Sequence, residues 1–250
     1  MSPLRFIEAY LATAADEAVK KILESALQGP HMDKWQQAMN SEMESLRENG
    51  VYELVDRPEG NKVVKSKWVF RVKTNEIGEI EKYKARLLAK LYSQMEGVDY
   101  DQNFSPKVRF ESIRQMVPLG ALKGMQMHQM DVTTAFLHAP LGEEVYMEQP
   151  EGTVLPGSEG KVMRLLKCLY GLKQSSRQWD ILIDTILKQL GFTRLKSDFG
   201  RYVKGEGDDA VYIALYVHDD LFLVGKKLGG IKEVKDGLCT QFKMKDLGEA

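Results

Sequence analysis

Two adjacent carboxylates interrupt an apolar run at Leu215-Tyr216-Val217-His218-Asp219-Asp220-Leu221-Phe222-Leu223-Val224-Gly225. Apolar runs on both sides of a polar tip are typical of a β-hairpin with buried strands. Two like charges side by side are unfavourable unless a cation neutralises them, and paired carboxylate oxygens suit Mg²⁺. The stretch therefore favours a metal site at a hairpin tip. The alternative is an ordinary Asp-Asp turn, which Asp favours for local hydrogen-bonding reasons.

A third acid lies at the end of another short strand, in Gln129-Met130-Asp131-Val132-Thr133-Thr134-Ala135-Phe136-Leu137. Two interpretations are open for Asp131. It is the N-cap of a following helix, or it supplies the third ligand of the site that the hairpin begins. Distance along the chain excludes neither, because strands far apart in sequence can be neighbours in a sheet.

The length and composition are those of a protein with a substantial core, since 43% of the 250 residues are hydrophobic. No apolar run reaches membrane-spanning length, and the N-terminus lacks the layout of a signal peptide. We therefore expect an intracellular chain with no targeting signal and no membrane partner. Cys168 and Cys239 are the only cysteines, and their spacing predicts neither a disulfide framework nor a zinc site.

Positive charge is concentrated between Lys62 and Lys90, where nine Lys or Arg residues face three acids, while the whole chain carries a net charge of −1. Strand alternation predicts that Lys67, Arg71 and Lys73 share one face, with Trp68, Phe70 and Val72 on the other. A localised positive face is what phosphate contacts need. A solvated hairpin face is the open alternative.

The remaining patterns are mostly helical. They predict one helix over residues 4–27, a second from Asp33 to a stop at Gly50, and an amphipathic helix over residues 179–190. Pro118 predicts an interruption of the helix that begins near Ser112. Val211 to Val217 is apolar throughout, which is typical of a central strand covered on both faces.

An ordered set of motifs from about Leu23 to the last residue resembles the reverse transcriptase domain of copia-type LTR retrotransposon Pol polyproteins. The motifs that carry the resemblance are Lys67-Trp68-Val69-Phe70, Tyr83-Lys84-Ala85-Arg86-Leu87, Gly97-Val98-Asp99-Tyr100, Phe104-Ser105-Pro106, Gln129-Met130-Asp131-Val132, Leu169-Tyr170-Gly171-Leu172-Lys173-Gln174 and Met244-Lys245-Asp246-Leu247-Gly248.

The resemblance implies an α+β right-hand polymerase with fingers and palm, in which helices back an antiparallel palm sheet. By this analogy we expect a helical lead-in at 1–50, fingers at 51–107 and 139–173, and palm at 108–138 and 174–250. We also expect the thumb and RNase H domains of the family to be absent from this sequence.

The resemblance also implies a site. Asp131, Asp219 and Asp220 correspond to the catalytic carboxylates that bind two Mg²⁺ ions for nucleotidyl transfer to a primer 3′-hydroxyl. Phe136 stands at the position of the steric gate, with a core aromatic as its alternative. The implied substrate-binding residues are Lys73, Lys84, Arg86 and Gln174. Implied partners are an RNA or DNA template with primer, dNTPs, and the integrase and RNase H domains of the intact element, in cytoplasmic virus-like particles.

One departure from the family bears on activity. The family pattern is Tyr-Val-Asp-Asp, and His218 is an insertion between Val217 and Asp219. Because a strand has period two, the extra residue either reverses side chains or is absorbed by a bulge or a longer turn. With the missing thumb, this leaves open a catalytically silent nucleic-acid-binding remnant. An unrelated Mg²⁺ phosphotransferase is disfavoured, because the sequence has no P-loop motif.

Overall fold

The computed structural model describes residues 23–75, 77–90, 108, 110–216 and 219–250. The chain forms two compact units, each built from two separate segments. Unit 1 comprises Met1–Asp101 and Pro140–Ser175, and unit 2 comprises Gln102–Ala139 and Ser176–Ala250. None of the helices in the described ranges has the length and apolarity to cross a membrane.

Helix α1 (Met32–Glu48) of unit 1 confirms the helix predicted from Asp33. Its buried stripe is Met39, Met43 and Leu46, and Gly50 adopts a positive φ of 59° just beyond its end. Most of the helix predicted over 4–27 lies outside the described residues, although residues 23–28 are helical.

Two sheets complete unit 1. Strands β1 (Tyr52–Asp56), β2 (Val63–Val64), β6 (Pro140–Glu148) and β7 (Lys161–Lys167) form a sheet of order β1-β7-β6-β2, in which β2 runs parallel to β6. Strands β3 (Ser66–Thr74) and β4 (Ile80–Ala89) form a separate antiparallel hairpin. Trp35 of α1 packs edge-on against Phe70 and Tyr83 of this hairpin, at ring-centroid distances of 5.0 and 4.7 Å. One face of the hairpin is therefore fixed by aromatic packing.

Unit 2 is a six-stranded sheet of order β12-β5-β11-β10-β9-β8, in which every ladder is antiparallel. Its strands are β5 (Gln126–Val132), β8 (Thr193–Arg194), β9 (Arg201–Lys204), β10 (Val211–Tyr216), β11 (Asp220–Gly225) and β12 (Met244–Glu249). The predicted central strand is confirmed, because β10 pairs with a neighbour on each side.

Helices cover both faces of this sheet. Helix α2 (Phe110–Leu122) packs Met116 against Ala214 and Val224. Helix α4 (Leu228–Gln241) lies on the opposite face, where Ile231 approaches Gly225. Helix α3 (Ser175–Gln189) buries Trp179, Ile183 and Leu187, which confirms the predicted amphipathic helix with an earlier start. The sheet is thus held between apolar layers.

The predicted interruption at Pro118 is wrong, because α2 continues through this proline to Leu122. A proline removes one backbone hydrogen bond and crowds the preceding turn. Packing on both sides of Pro118 offsets that cost. Met116 is 6% exposed, and a Cβ placed on Gly120 would already touch the side chains of Met127 and Val224.

Gly171 lies where two segments of unit 1 meet backbone to backbone. The N–H of Ala89 donates to the carbonyl of Tyr170 at 2.9 Å, and a Cβ on Gly171 would overlap the Ala89 carbonyl oxygen. Its φ of 93° also lies in the left-handed region, which a side chain disfavours. No other residue type fits this position without moving β4.

We expect Gly171→Ala to destabilise the chain by about 2 kcal/mol more than Gly157→Ala, because only the first adds an overlap. Gly157 has a similar φ of 83° and open space around its Cβ, so its substitution incurs only the conformational cost of about 1–2 kcal/mol. Urea denaturation of both variants measures the difference. Equal losses would contradict the close approach at Ala89.

Glu42 of α1 gives unit 1 a pH dependence. Its carboxylate accepts a hydrogen bond from the Leu87 N–H at 3.2 Å. Burial raises the pKa of Glu42, while this hydrogen bond and the charges of Lys84 and Arg86 oppose the shift. The folded state therefore binds the Glu42 proton more tightly than the unfolded state does.

We expect the free energy of unfolding of the native chain to fall, relative to Glu42→Gln, as pH rises from the ordinary Glu range of about 4.3 to neutrality. The variant keeps an oxygen acceptor for Leu87 but has no proton to lose. Denaturant titrations at several pH values measure this, with exposed Glu44→Gln as the control. Parallel stability curves for the native chain and Glu42→Gln would refute the expectation.

Candidate catalytic site

Asp131 and Asp220 are direct partners across β5 and β11. Tyr216 of β10 pairs with Asp220 on one side, and Lys245 of β12 pairs with Asp131 on the other. Directly opposite residues of an antiparallel ladder point to the same face. The four residues Tyr216, Asp220, Asp131 and Lys245 therefore form one transverse row, called here the acid row.

Asp219 lies at the turn beside this row. Its backbone carbonyl accepts a hydrogen bond from the N–H of Val132 at 2.7 Å, which joins the turn to the end of β5. The structure thus brings all three candidate carboxylates of the sequence to one end of the sheet in unit 2.

The register of the β10–β11 hairpin shows how the strands on either side of the extra residue pair. Val217 and His218 lie outside the described residues, but the strands that flank them are described. Tyr216 and Asp220 are ladder partners, so their side chains point to the same face of the sheet. Of the alternatives, the one in which Tyr216 faces away from the carboxylates is wrong.

The acid row is electrostatically crowded. Partial burial, followed by the charge of Asp219, raises the pKa of Asp220, and the charge of Asp131 adds to the shift. Gln129 opposes it, because its side-chain amide donates to Asp220 Oδ1 at 3.5 Å. Lys245 Nζ lies 4.0 Å from Asp131 Oδ1. A divalent cation would relieve the repulsion among the three carboxylates far more fully than these partners do.

The donor set fits Mg²⁺ in its chemistry, because carboxylate oxygens are hard ligands and the excess negative charge needs a cation. The side chains of this site do not converge on a single metal position. Within the ranges that the structure describes, no three His, Cys, Asp or Glu side chains are arranged as a ready metal cluster. Additional oxygen ligands from water or phosphate fit this arrangement, since Mg²⁺ keeps several waters.

A cavity of about 250 Å³ borders the acid row, lined by Ile113, Gln129, Tyr216, Asp220, Leu221 and Phe222. Its wall is mostly apolar, and Asp220 and Gln129 contribute polar groups. The site therefore places charged and apolar surfaces next to each other.

Phe136 lies in a short 3₁₀ helix, η1 (Ala135–His138), which begins four residues after Asp131. Ala135 and Leu137 are buried, whereas Phe136 is partly exposed. Thr134, which precedes η1, has a φ of 56°, an uncommon conformation for a β-branched residue. This turn sets the direction in which the chain leaves β5 and thus where Phe136 lies.

The other predicted substrate-binding residues belong to unit 1. The predicted alternation of β3 is confirmed, and β4 extends its basic face, because Arg71 pairs with Lys84, Lys73 with Lys82, and Val69 with Arg86. We call the resulting set the basic face; it comprises Lys67, Arg71, Lys73, Lys82, Lys84 and Arg86. Arg86 also stacks over Tyr170 at 4.9 Å.

Gln174 is 1% exposed and donates to the Glu143 carboxylate at 3.3 Å. This hydrogen bond lies within unit 1, and the role of Gln174 toward a substrate stays a prediction. Sequence reasoning assigned no role to Gln129 or Lys245. The sequence could have indicated Gln129, because residues two apart on a strand share a face, as Gln129 and Asp131 do. Lys245 was not, because nothing in the sequence specifies that β12 pairs with β5.

These features define an α+β protein with three carboxylates gathered at the end of an antiparallel sheet, a constellation suited to metal-assisted phosphoryl transfer. The family model described as reverse transcriptase (RNA-dependent DNA polymerase) matches residues 49–250, and the chain belongs to this family.

The relatives carry related names. The chain is 42% identical over 236 residues to the "Retrovirus-related Pol polyprotein from transposon TNT 1-94" of Nicotiana tabacum, a match that covers 94% of this chain and 18% of that protein. It is 37% identical over 223 residues to the "Retrovirus-related Pol polyprotein from transposon RE2" of Arabidopsis thaliana, covering 89% of this chain and 15% of that protein. The resemblance seen in the sequence is confirmed. The chain spans less than a fifth of the length of these two relatives.

We expect Asp220→Asn to raise the thermal unfolding temperature of the chain in the absence of divalent cations. The amide removes one of the crowded charges but keeps an oxygen that can accept from Gln129, and sites held for function often cost stability. Differential scanning calorimetry at neutral pH in EDTA measures the change. Asp208→Asn is the matched control, because it removes an exposed acid that is paired with Lys226. A lower unfolding temperature for Asp220→Asn would contradict the crowding of the acid row.

Proposed function

We propose that this chain is the polymerase core of an RNA-directed DNA polymerase from a copia-type retrotransposon, with unit 2 as palm and unit 1 as fingers. The observation that supports it best is the pairing of Asp131 with Asp220 on neighbouring strands, beside Asp219 anchored to Val132. The alternation of units along the chain, with one segment of unit 2 between two segments of unit 1, agrees with the expected order of fingers and palm.

In the proposed reaction the carboxylates of Asp131, Asp219 and Asp220 would hold two Mg²⁺ ions. When bound, the ions supply activation of the primer 3′-hydroxyl and neutralisation of the triphosphate and pyrophosphate charge. The contribution of the protein is to fix the acids on rigid strands, so that the 3′-oxygen, the α-phosphorus and the leaving oxygen of pyrophosphate lie in line. The hydroxyl oxygen attacks the α-phosphorus and its proton passes to solvent, while the bond from this phosphorus to the bridging oxygen breaks and pyrophosphate leaves.

The remaining residues are proposed to select and hold substrates. Partly exposed Phe136, close to Asp131 in the chain, is suited to exclude a ribose 2′-hydroxyl. Lys84 and Arg86, and with them Lys73, are suited to hold the triphosphate of a dNTP or the backbone of a template, because they share the basic face. Gln174 is buried against Glu143, so its proposed contact with a substrate would run through Glu143 unless substrate binding exposes the Gln174 side chain.

The intact element supplies the context of this proposal. The Pol polyprotein relatives are several times longer than this chain. We propose that integrase and RNase H domains accompany this one, and that the enzyme copies a primed RNA or DNA template in cytoplasmic virus-like particles.

A catalytically silent nucleic-acid-binding remnant is the second candidate, and the basic face is the observation that favours it. The polymerase is preferred because Tyr216 lies directly opposite Asp220, so that both side chains share one face in spite of the extra residue. A reversal of the side chains at the insertion would have turned Tyr216 away from Asp220.

We expect the chain to extend a DNA primer on an RNA template with dNTPs and Mg²⁺. Asp131→Asn should lower the rate at least about 10²-fold, because a metal ligand contributes several kcal/mol of transition-state stabilisation. Single-nucleotide incorporation on a labelled primer measures the rate. Asp208→Asn, at the opposite end of the β10–β11 hairpin, should extend like the native chain.

Deletion of His218 separates the candidates further. Equal extension by the native chain and the deletion variant would show that the turn tolerates the extra residue. Extension only by the deletion variant would locate a lesion at the turn. Salt-dependent binding of primer and template without incorporation by either chain would favour the silent remnant.

A further inference from the structure

Lys245 is the basic member of the acid row. It lies directly opposite Asp131 in the β12–β5 ladder, and its Nζ is 4.0 Å from Asp131 Oδ1. Its side chain is 66% exposed, whereas that of Asp131 is 29% exposed. The ammonium group is therefore close enough to pair with the carboxylate and solvated enough to move away from it.

The backbone around Lys245 is held firmly. The carbonyl of Lys243 accepts from the Thr133 N–H at 2.8 Å, just before β12 begins. The next residue, Asp246, accepts from Lys235 of α4 through both carboxylate oxygens, at 2.7 and 2.8 Å. Lys235 also lies 2.9 Å from His128 Nδ1, on β5 itself. The backbone of Lys245 is thus fixed beside Asp131 from both sides, while its side chain remains free to change conformation.

A cation at this place alters the affinity of the row for any other cation. The charge of the ammonium offsets one of the three carboxylate charges, and it repels a second cation that approaches Asp131. An exposed ion pair is weak, so the effect is small enough to be reversed by a divalent ion. Salt also screens the pair, because the lysine side chain is largely exposed.

We infer that Lys245 is a resident counterion of the metal site: it neutralises Asp131 when no metal is bound and must be displaced when Mg²⁺ enters. Lys245 is a positioning residue in this role, because it acts through Asp131. The inference rests on the proposed function, since it assumes that Asp131 is a metal ligand. Its consequence is that the native chain binds Mg²⁺ more weakly than its carboxylates alone would allow.

The test measures Mg²⁺ binding directly by isothermal titration calorimetry, with the increase in unfolding temperature on adding Mg²⁺ as a second readout. We expect Lys245→Gln to lower the apparent dissociation constant for Mg²⁺ about two- to fivefold, the range given by the strength of exposed ion pairs. The variant should also unfold at a lower temperature in EDTA, because the acid row has lost its counterion.

Two controls isolate the position from the charge. Lys245→Arg keeps the positive charge and should bind Mg²⁺ like the native chain. Lys232→Gln removes an exposed lysine from α4 with the same change in net charge and should also leave Mg²⁺ affinity unchanged. A purely structural role for Lys245 would lower the unfolding temperature without tightening Mg²⁺ binding, and that result would overturn the inference.

The failure of the inference and that of the proposed function give different results. If Asp131→Asn weakens Mg²⁺ binding and Lys245→Gln leaves it unchanged or weaker, the metal site stands and only the counterion is overturned. If Asp131→Asn has no effect on Mg²⁺ binding, the metal site at Asp131 and the counterion are overturned together.

Discussion

The pairing of β5 with β11 places two carboxylates, Asp131 and Asp220, directly opposite each other. Like charges in that relation destabilise a ladder, so the rest of unit 2 has to hold the strands together against them. It does so with apolar burial. Met130, next to Asp131, and Leu221, next to Asp220, are both fully buried on the other face. Helix α4 covers that face, and α2 covers the face of the carboxylates at the end of the sheet away from them. The repulsion is confined to one end of the β5–β11 pair, where β5 ends and β11 begins.

Much of this arrangement was predictable from local patterns. Alternation along β3 separates its basic residues from its aromatic ones, and the apolar runs around Asp219 and Asp220 predict the hairpin. These patterns succeed because a strand has a period of two and the residues involved are close in sequence. The fold class followed from the resemblance, and the mixed α+β structure and the family match agree with it.

The remainder depends on contacts between distant segments, which local patterns do not encode. The sequence left open whether Asp131 caps a helix or joins the acids. The ladder with β11 places Asp131 opposite Asp220, and the hydrogen bond from Val132 to Asp219 places the third acid beside them. Pro118 was expected to break α2, but the helix continues through it and packs on the sheet through Met116. The burial of Gln174 and the position of Lys245 likewise depend on tertiary neighbours, Glu143 and β5.

The basic face has a consequence for the mechanics of its own hairpin. Arg71 lies opposite Lys84, and Lys73 opposite Lys82, so like charges face each other on alternate rungs of a two-stranded ribbon, with the Val72–Tyr83 pair between them. A two-stranded ribbon by itself is only marginally stable. At physiological ionic strength the Debye length exceeds the distance between the two strands, so the repulsion between the opposed charges is only partly screened. Trp35 supports the ribbon from the other side only. The ions around the basic face therefore contribute to the stiffness of β3 and β4, in addition to the aromatic packing on the other face. A polyanion bound along the basic face would neutralise these charges, and the ribbon would therefore be most rigid when the polyanion is bound.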